Sequence, residues 1–197
     1  MRPGYTFIVL ALFLLLSGCP QQNDQMTQDK AVQFVKEHMQ LQYPGATTDV
    51  FLVTPQDGSW KMSSKVIYGA NTPCPNLSIV VYEYPEFGYV PREQNNITSN
   101  CQVLGCKDIQ NCKITLPEEA IIASHKLNNI LEIELFKGNY TSNVRVDATF
   151  YDNYFESKTN STYSSIWMVK WTATNADYSI RLILNQSDGK VIDKFIE

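Results

Sequence analysis

Twice along this chain the spacing of apolar residues changes from three-and-four to two, and nothing else in it constrains the fold as much. The first spacing marks one face of a helix, and the second a strand with one buried side. The first helical segment starts at Thr27, a residue suited to an N-cap, and reads QDKAVQFVKEHMQLQ. Ala31, Phe34, Val35, His38 and Leu41 fall on one face, and Pro44-Gly45 ends the run. Strand-like stretches TDVFLVT, SWKMSSKVIYG and LSIVVYEY follow, broken by Pro55-Gln56-Asp57-Gly58 and Asn71-Thr72-Pro73.

The second round opens with Thr115 and Glu118 as a capping box ahead of EEAIIASHKL. Asn129 and Glu132 repeat that signal before ILEIELFK, so the helix breaks and restarts at Asn128-Asn129; a strand through LEIEL fits the same period. Gly138 suits a C′ stop. VRVDATFYD, SSIWMVKWTAT, YSIRLILN and KVIDKFI follow as strands. Ser187-Asp188-Gly189 reads as a tight hairpin, and the polar link from Asn153 to Tyr163 as an exposed loop. The expected class is α+β: a helix packed on a curled antiparallel sheet, two such units in tandem. The units span 27–92 and 115–197, with a cysteine-containing connector at 93–114.

The first residues set the address. MRPGYTFIVLALFLLLSGCP has one Arg before an apolar run from Phe7 to Leu16. That run is too short for a bilayer span of roughly 20 residues and has the make-up of a secretory signal peptide, residues 1–18. Leu16-Ser17-Gly18-Cys19 resembles the lipobox of prokaryotic lipoproteins. The resemblance implies cleavage before Cys19 and a diacylglyceryl group on its thiol, two chains that suffice for stable anchoring. Residues 19–26 then form a polar spacer between lipid and folded body. The expected location is the extracytoplasmic face of a membrane.

Of 16 basic residues only Arg2 is lost with the signal and none of the 20 acidic ones, so the mature charge is −5. With no Lys/Arg cluster, nucleic acid is not expected as a partner. Five N-x-[ST] sequons, at Asn76, Asn96, Asn139, Asn160 and Asn185, are candidate glycosylation sites. Beside a lipobox they suit an archaeon better than a bacterium, although a composition rich in Asn, Ser and Thr also generates them.

WMVKWTAT followed by YSIRLILNQSDGKVIDK resembles the end of a PepSY-type, cystatin-like module. There a Trp- or Val-alternating strand precedes a closing Val-Asp-Ala-x-Thr-Gly-x-Val segment. Gly189 and Val191 match that segment, whereas Asn185 stands in place of its Asp and Asp188 in place of its Thr. DGSWKMSSKVIYG echoes the Trp strand in the first unit. The resemblance covers some 80 residues of the second unit. It implies an extracytoplasmic module that restrains a peptidase or acts as an adaptor to an envelope protein.

With Cys19 acylated, Cys74, Cys101, Cys106 and Cys112 remain, an even number in an oxidising location. Two disulfides are expected, with three connectivities open; the preferred one joins Cys74 to Cys101 and Cys106 to Cys112. Cys101-x₄-Cys106-x₅-Cys112 with Cys74 also approaches a zinc-ligand set, and a thiol-redox loop is the third reading. The spacing is loose and no Cys-x-x-Cys occurs, so staples are preferred and no metal or cofactor is expected. His38 and His125 both read as structural.

No Gly-x-Ser-x-Gly elbow or Gly-rich phosphate loop occurs, and Glu83, Glu86, Glu118, Glu119 and Asp147 do not stand out as a catalytic pair. A non-enzymatic binding module is expected. In VVYEYPEFGYVPRE, Tyr82, Tyr84, Phe87 and Tyr89 are candidates to grip a polypeptide or sugar, since tyrosine joins contact area to a polar tip. Filling the seam between the two units is the competing role.

Overall fold

The computed structural model describes residues 26–107 and 112–197. The expected signal peptide (1–18), Cys19 and all of the expected spacer except Met26 lie outside the described residues. Within them the chain is α+β, with three α-helices and ten antiparallel strands.

Helix α1 (Gln28–Gln42) is followed by β1 (Thr47–Gln56), β2 (Ser59–Tyr68), β3 (Asn76–Tyr84) and β4 (Glu93–Asn96), paired in the order β1-β2-β3-β4. The Thr27 hydroxyl accepts from the Lys30 amide at 3.4 Å, capping α1. Ala31, Val35 and Met39 are the buried stripe, set against Met62, Val66, Val80 and Tyr82. Phe34 and Leu41, expected on the core face, are 38% and 84% exposed. The sheet meets α1 along a single i, i+4, i+8 ridge, which leaves the flanking i+3 positions outside. Between β1 and β2 the chain turns on Asp57-Gly58, both at positive φ, which suits a two-residue hairpin. Pro55 sits in β1, an edge strand, where its missing N–H does no harm.

Residues 93–103, which carry no alternating apolar pattern, nevertheless contain β4, β5 (Thr98–Ser99) and β6 (Gln102–Val103). β4 completes the first sheet by pairing with Ser78–Val81 of β3. The short β5–β6 hairpin is tied to β3 by Thr98, whose hydroxyl donates to the Pro75 carbonyl and accepts from the Leu77 amide.

Helix α2 (Pro117–Lys126) begins one residue off the expected register. Pro117 takes the first helical position, so Leu116 becomes the N-cap and Glu119, not Glu118, is the capping carboxylate. Glu119 Oε2 accepts from the Thr115 amide and hydroxyl and from the Leu116 amide, at 2.8–2.9 Å. The chain breaks at Asn129 (φ +45°) and restarts as helix α3 (Leu131–Tyr140), not as a strand. Gly138 lies inside α3 rather than beyond it. Packing of Phe136 on Tyr140 and Tyr178 carries the helix on, and the reversal falls at Thr141 instead.

β7 (Val144–Glu156), β8 (Ser161–Ala173), β9 (Ile180–Asn185) and β10 (Val191–Ile196) pair in the order β10-β9-β8-β7. The supposed loop from Asn153 to Tyr163 is mostly strand, paired out to Glu156 and Ser161. Side chains hold that extension: Arg181 reaches Glu156 and the Tyr154 hydroxyl at 2.6 Å, and Tyr163 donates to Asp193. The core of this half gathers Ile122, Ile133, Phe136, Val146, Trp167, Trp171 and Leu182, together with Val103, Cys112 and Ile114 of the connector.

At the last hairpin Asn185 accepts from the Ser187 amide and Asp188 from the Lys190 amide, closing the turn. Asn128 bolts this hairpin to the end of α2: its amide donates to the Ala123 and Gly189 carbonyls and its carbonyl accepts from Val191. Gly189 has φ +66°, and a Cβ there would lie 3.2 Å from Ile114 Cγ1 and 3.3 Å from Leu127 Cδ1. Gly58, at φ +85°, faces open space. Gly58→Ala should therefore cost about 1–2 kcal/mol for backbone conformation alone, and Gly189→Ala a further 1–3 kcal/mol or so for overpacking. Urea denaturation of both variants checks this; equal losses would show that the close approach carries no cost.

Candidate functional site

Two clusters gather the chemistry-bearing side chains. The first is built where β3 ends against the flank of α1. Because Phe34 and His38 lie off the buried stripe of α1, their rings reach beyond the sheet edge. Phe34 lies 5.6 Å from Tyr84, Tyr84 lies 5.8 Å from Tyr89, and Tyr89 stacks on His38 at 4.8 Å. The four rings form one continuous ledge on the first sheet's helix side, with Phe34 and Tyr89 38% and 44% exposed. The His38 ring donates onward to the Gln42 side chain. A groove of about 430 Å³ lined by Met26, Lys30, Gln33, Phe34 and Tyr84 opens beside it.

Of the four aromatic candidates Tyr82 is not a surface residue. It is fully buried beneath α1, and that burial pushes its hydroxyl up from the usual tyrosine value. Alternation explains this: Tyr82 and Tyr84 do share a face, but the helix covers that face fully at Tyr82 and only partly at Tyr84. Phe87 is half-buried, its ring covered by the Arg92 guanidinium at 3.8 Å, which in turn approaches Glu83 at 3.6 Å. The rings thus fill a seam between α1 and its own sheet, not one between the two halves of the chain. Phe34 and His38 belong to the ledge although the helical spacing had placed them in the core.

The second cluster joins the two halves. Cys74 pairs with Cys101, and Cys106 with Cys112, at Cα separations of 4.7 and 5.1 Å. The segment from Cys101 to Cys112 therefore does not converge on one point. His125, near the end of α2, does converge on the first pair: its Nε2 lies 3.4 Å from Cys101 Sγ and 4.0 Å from Cys74 Sγ. The ring is buried, edge-on to Trp171 at 5.2 Å. Its Nδ1 stands 3.1 Å from the Ile121 carbonyl, which can only accept, so Nδ1 carries the proton and Nε2 presents a lone pair to the sulfurs. Cys74 is exposed, and a groove of about 490 Å³ lined by Asn100, Cys101, Gln102, Cys106 and Lys126 opens beside Cys101. This approach has no local signal, because His125 is 51 residues from Cys74 and 24 from Cys101.

Among the sequons, Asn76, Asn96, Asn139 and Asn160 are exposed, whereas Asn185 is half-buried with its carbonyl engaged in the last hairpin. Among the described residues no helix is long and apolar enough to cross a membrane. No protein-family model matches the chain, and no curated protein matches it.

Burial pushes the His125 imidazole down to about 4 from its ordinary 6.5, against the opposing pull of its bond to the Ile121 carbonyl. Between those values the unfolded chain binds a proton that the folded one does not, so stability present above pH about 6.5 is lost as pH falls toward about 4. The loss at pH 4.5 should be about 2–3 kcal/mol. Urea titrations of the disulfide-bonded protein at pH 7 and 4.5 measure it, with His125→Gln as reference. Carboxylates titrate in both proteins and cancel; an identical pH effect in the two would show that His125 is not the group.

Proposed function

We propose that this chain is a non-enzymatic surface lipoprotein, anchored outside the cytoplasm through diacylglyceryl-Cys19, that binds a polypeptide at the aromatic ledge. The observation that carries the reading is the continuous ladder Phe34–Tyr84–Tyr89–His38, exposed at Phe34 and Tyr89 and half-buried at His38 and Tyr84. Single exposed aromatic residues are ordinary on a protein surface, but contiguous ones flanked by polar tips mark recognition surfaces. Val90, 66% exposed beside Tyr89, extends the apolar area. At the other end the groove lined by Met26, Lys30 and Gln33 continues the ledge beside Phe34. The partner is an envelope protein or a peptidase that the module restrains. The resemblance of the last three strands to PepSY-type modules supports that choice, and it rests on those residues alone.

Anchoring is tested by partition of the full-length protein between detergent and water. The wild type should enter the detergent phase carrying a lipid mass on Cys19, and Cys19→Ser should not; a wild type without lipid would remove the membrane from the reading.

Recognition is tested by a photo-crosslinking residue placed at Tyr89 in intact cells, with Phe155, exposed on β7, as the control position. A discrete polypeptide adduct from position 89 and none from 155 is expected. Phe34→Ala should then weaken binding of that purified partner at least about tenfold. No adduct, or the same adducts from both positions, would sink the ledge as a binding surface.

A further inference from the structure

The Cys74, Cys101 and His125 side chains form more than a staple with a neighbour. We infer that reduction of the Cys74–Cys101 disulfide by a dithiol converts this cluster into a Cys₂His site for a thiophilic divalent cation, zinc above all. It is separate from the aromatic ledge and stands whether or not the ledge binds a polypeptide.

The geometry is that of a site lacking one movement. With Zn–S near 2.3 Å and Zn–N near 2.0–2.1 Å, tetrahedral ligands stand about 3.5 Å apart for S···N and about 3.8 Å for S···S. The two S···N separations, 3.4 and 4.0 Å, already bracket the first value. The three donor atoms lie within 4.8 Å of one another. Only the sulfur–sulfur separation has to open, and breaking the disulfide allows that.

The imidazole is also held as a ligand should be. Its Nδ1–H is bonded to the Ile121 carbonyl, the kind of outer contact that orients metal-binding histidines and leaves Nε2 free to coordinate. Trp171 backs the ring edge-on and is itself fixed by its indole N–H on the Ser124 hydroxyl at 3.2 Å. Cys74 faces solvent, so the fourth position is left to water or an outside ligand. Among the described residues no other group of three or more His, Cys, Asp or Glu side chains stands at ligand spacing, and Cys106–Cys112 has no histidine beside it.

The chemistry balances. A thiolate of the dithiol attacks the exposed Cys74 sulfur, forming a mixed disulfide and releasing Cys101 as thiolate, which takes up a proton. The second thiolate of the reductant closes its own disulfide and releases Cys74 as thiolate, which takes up the second proton, so two electrons and two protons pass from the dithiol to the protein. Zinc then displaces the two thiol protons and accepts both sulfurs and His125 Nε2.

The test uses full-length protein in detergent, with Cys106→Ser and Cys112→Ser to leave only this pair. It is reduced with excess dithiothreitol and desalted without oxygen. Cobalt(II) should then bind at one equivalent, giving thiolate-to-cobalt charge-transfer absorption and intense tetrahedral d–d bands that zinc abolishes. The oxidised protein should show neither. His125→Gln should weaken cobalt binding by at least about tenfold, the effect of losing a ligand or its support. Because that variant perturbs a buried position, a second readout uses the wild-type chain. Zinc should protect Cys74 and Cys101 of the reduced protein from alkylation and leave Cys106 and Cys112 reactive. Absence of the bands, equal binding by oxidised protein, or protection of all four cysteines alike would overturn the inference.

Discussion

Helix α2 has no solvent face over most of its length, and the two halves of the chain are arranged around that fact. From Glu118 to His125 every residue is buried. A helix apolar on one stripe covers one sheet, whereas one buried all round must lie between layers. One side of α2 meets Val146, Val169 and Trp171 of the second sheet. The other is closed by the connector and by the open face of the first sheet, where Lys65 stands 3.8 Å from Glu118. The β7 edge adds a main-chain bond from the Val146 amide to the Asn71 carbonyl in the β2–β3 link. Placing two glutamates in such a helix demands partners for both. Glu119 takes three donors at the helix start, whereas Glu118 has Lys65 beside it beyond hydrogen-bond reach and its Oε2 makes no hydrogen bond among the described residues; both carboxylates stand in the first turn, where the helix dipole favours negative charge.

The connector between the halves is polar and lacks the apolar alternation that would make it a layer of its own. Covalent closure supplements the few core residues it has, Val103, Cys112 and Ile114. The Cys74–Cys101 bond spans 27 residues, for which the chain-entropy account gives about 3–4 kcal/mol. Cys106–Cys112 spans only 6, and its contribution is about 2 kcal/mol on the same account. The first bond fastens the β2–β3 link to the β5–β6 hairpin and presses both against α2. It thus does for the interface what Asn128 does for the last hairpin: it converts proximity into register.

What could be read in the chain beforehand was what local spacing encodes. Thr27, Asp57-Gly58, Asn128-Asn129 and Gly189 each impose a backbone change on their immediate neighbours, and the helices and long strands follow from them. Where the structure departs from the expectation, the deciding partner is remote. Phe34 and Leu41 satisfy the helical period yet stay outside, because the sheet presents only one ridge's width to α1. Gly138 has the right composition for a stop but is overruled by Tyr178, forty residues on, packing on Phe136. β4 is four polar residues that become a strand only because β3 offers an unpaired edge. His125 carried no signal at all, since what matters about it is which sulfurs it meets.

That meeting also resolves an apparent conflict between staple and ligand set. Breaking the Cys74–Cys101 bond releases the 27-residue loop and with it the constraint on the interface. A metal held by both thiolates closes the same loop again, at a sulfur separation only about 2 Å longer. His125 adds to that closure a tie to α2 that the disulfide lacks. In the oxidised form the histidine touches the sulfurs without a bond; in the metal-bound form the β2–β3 link, the connector hairpin and α2 would share one centre. Oxidation state therefore need not decide whether the two halves stay docked. On that inference it would set whether α2 is joined to the connector by packing or by coordination.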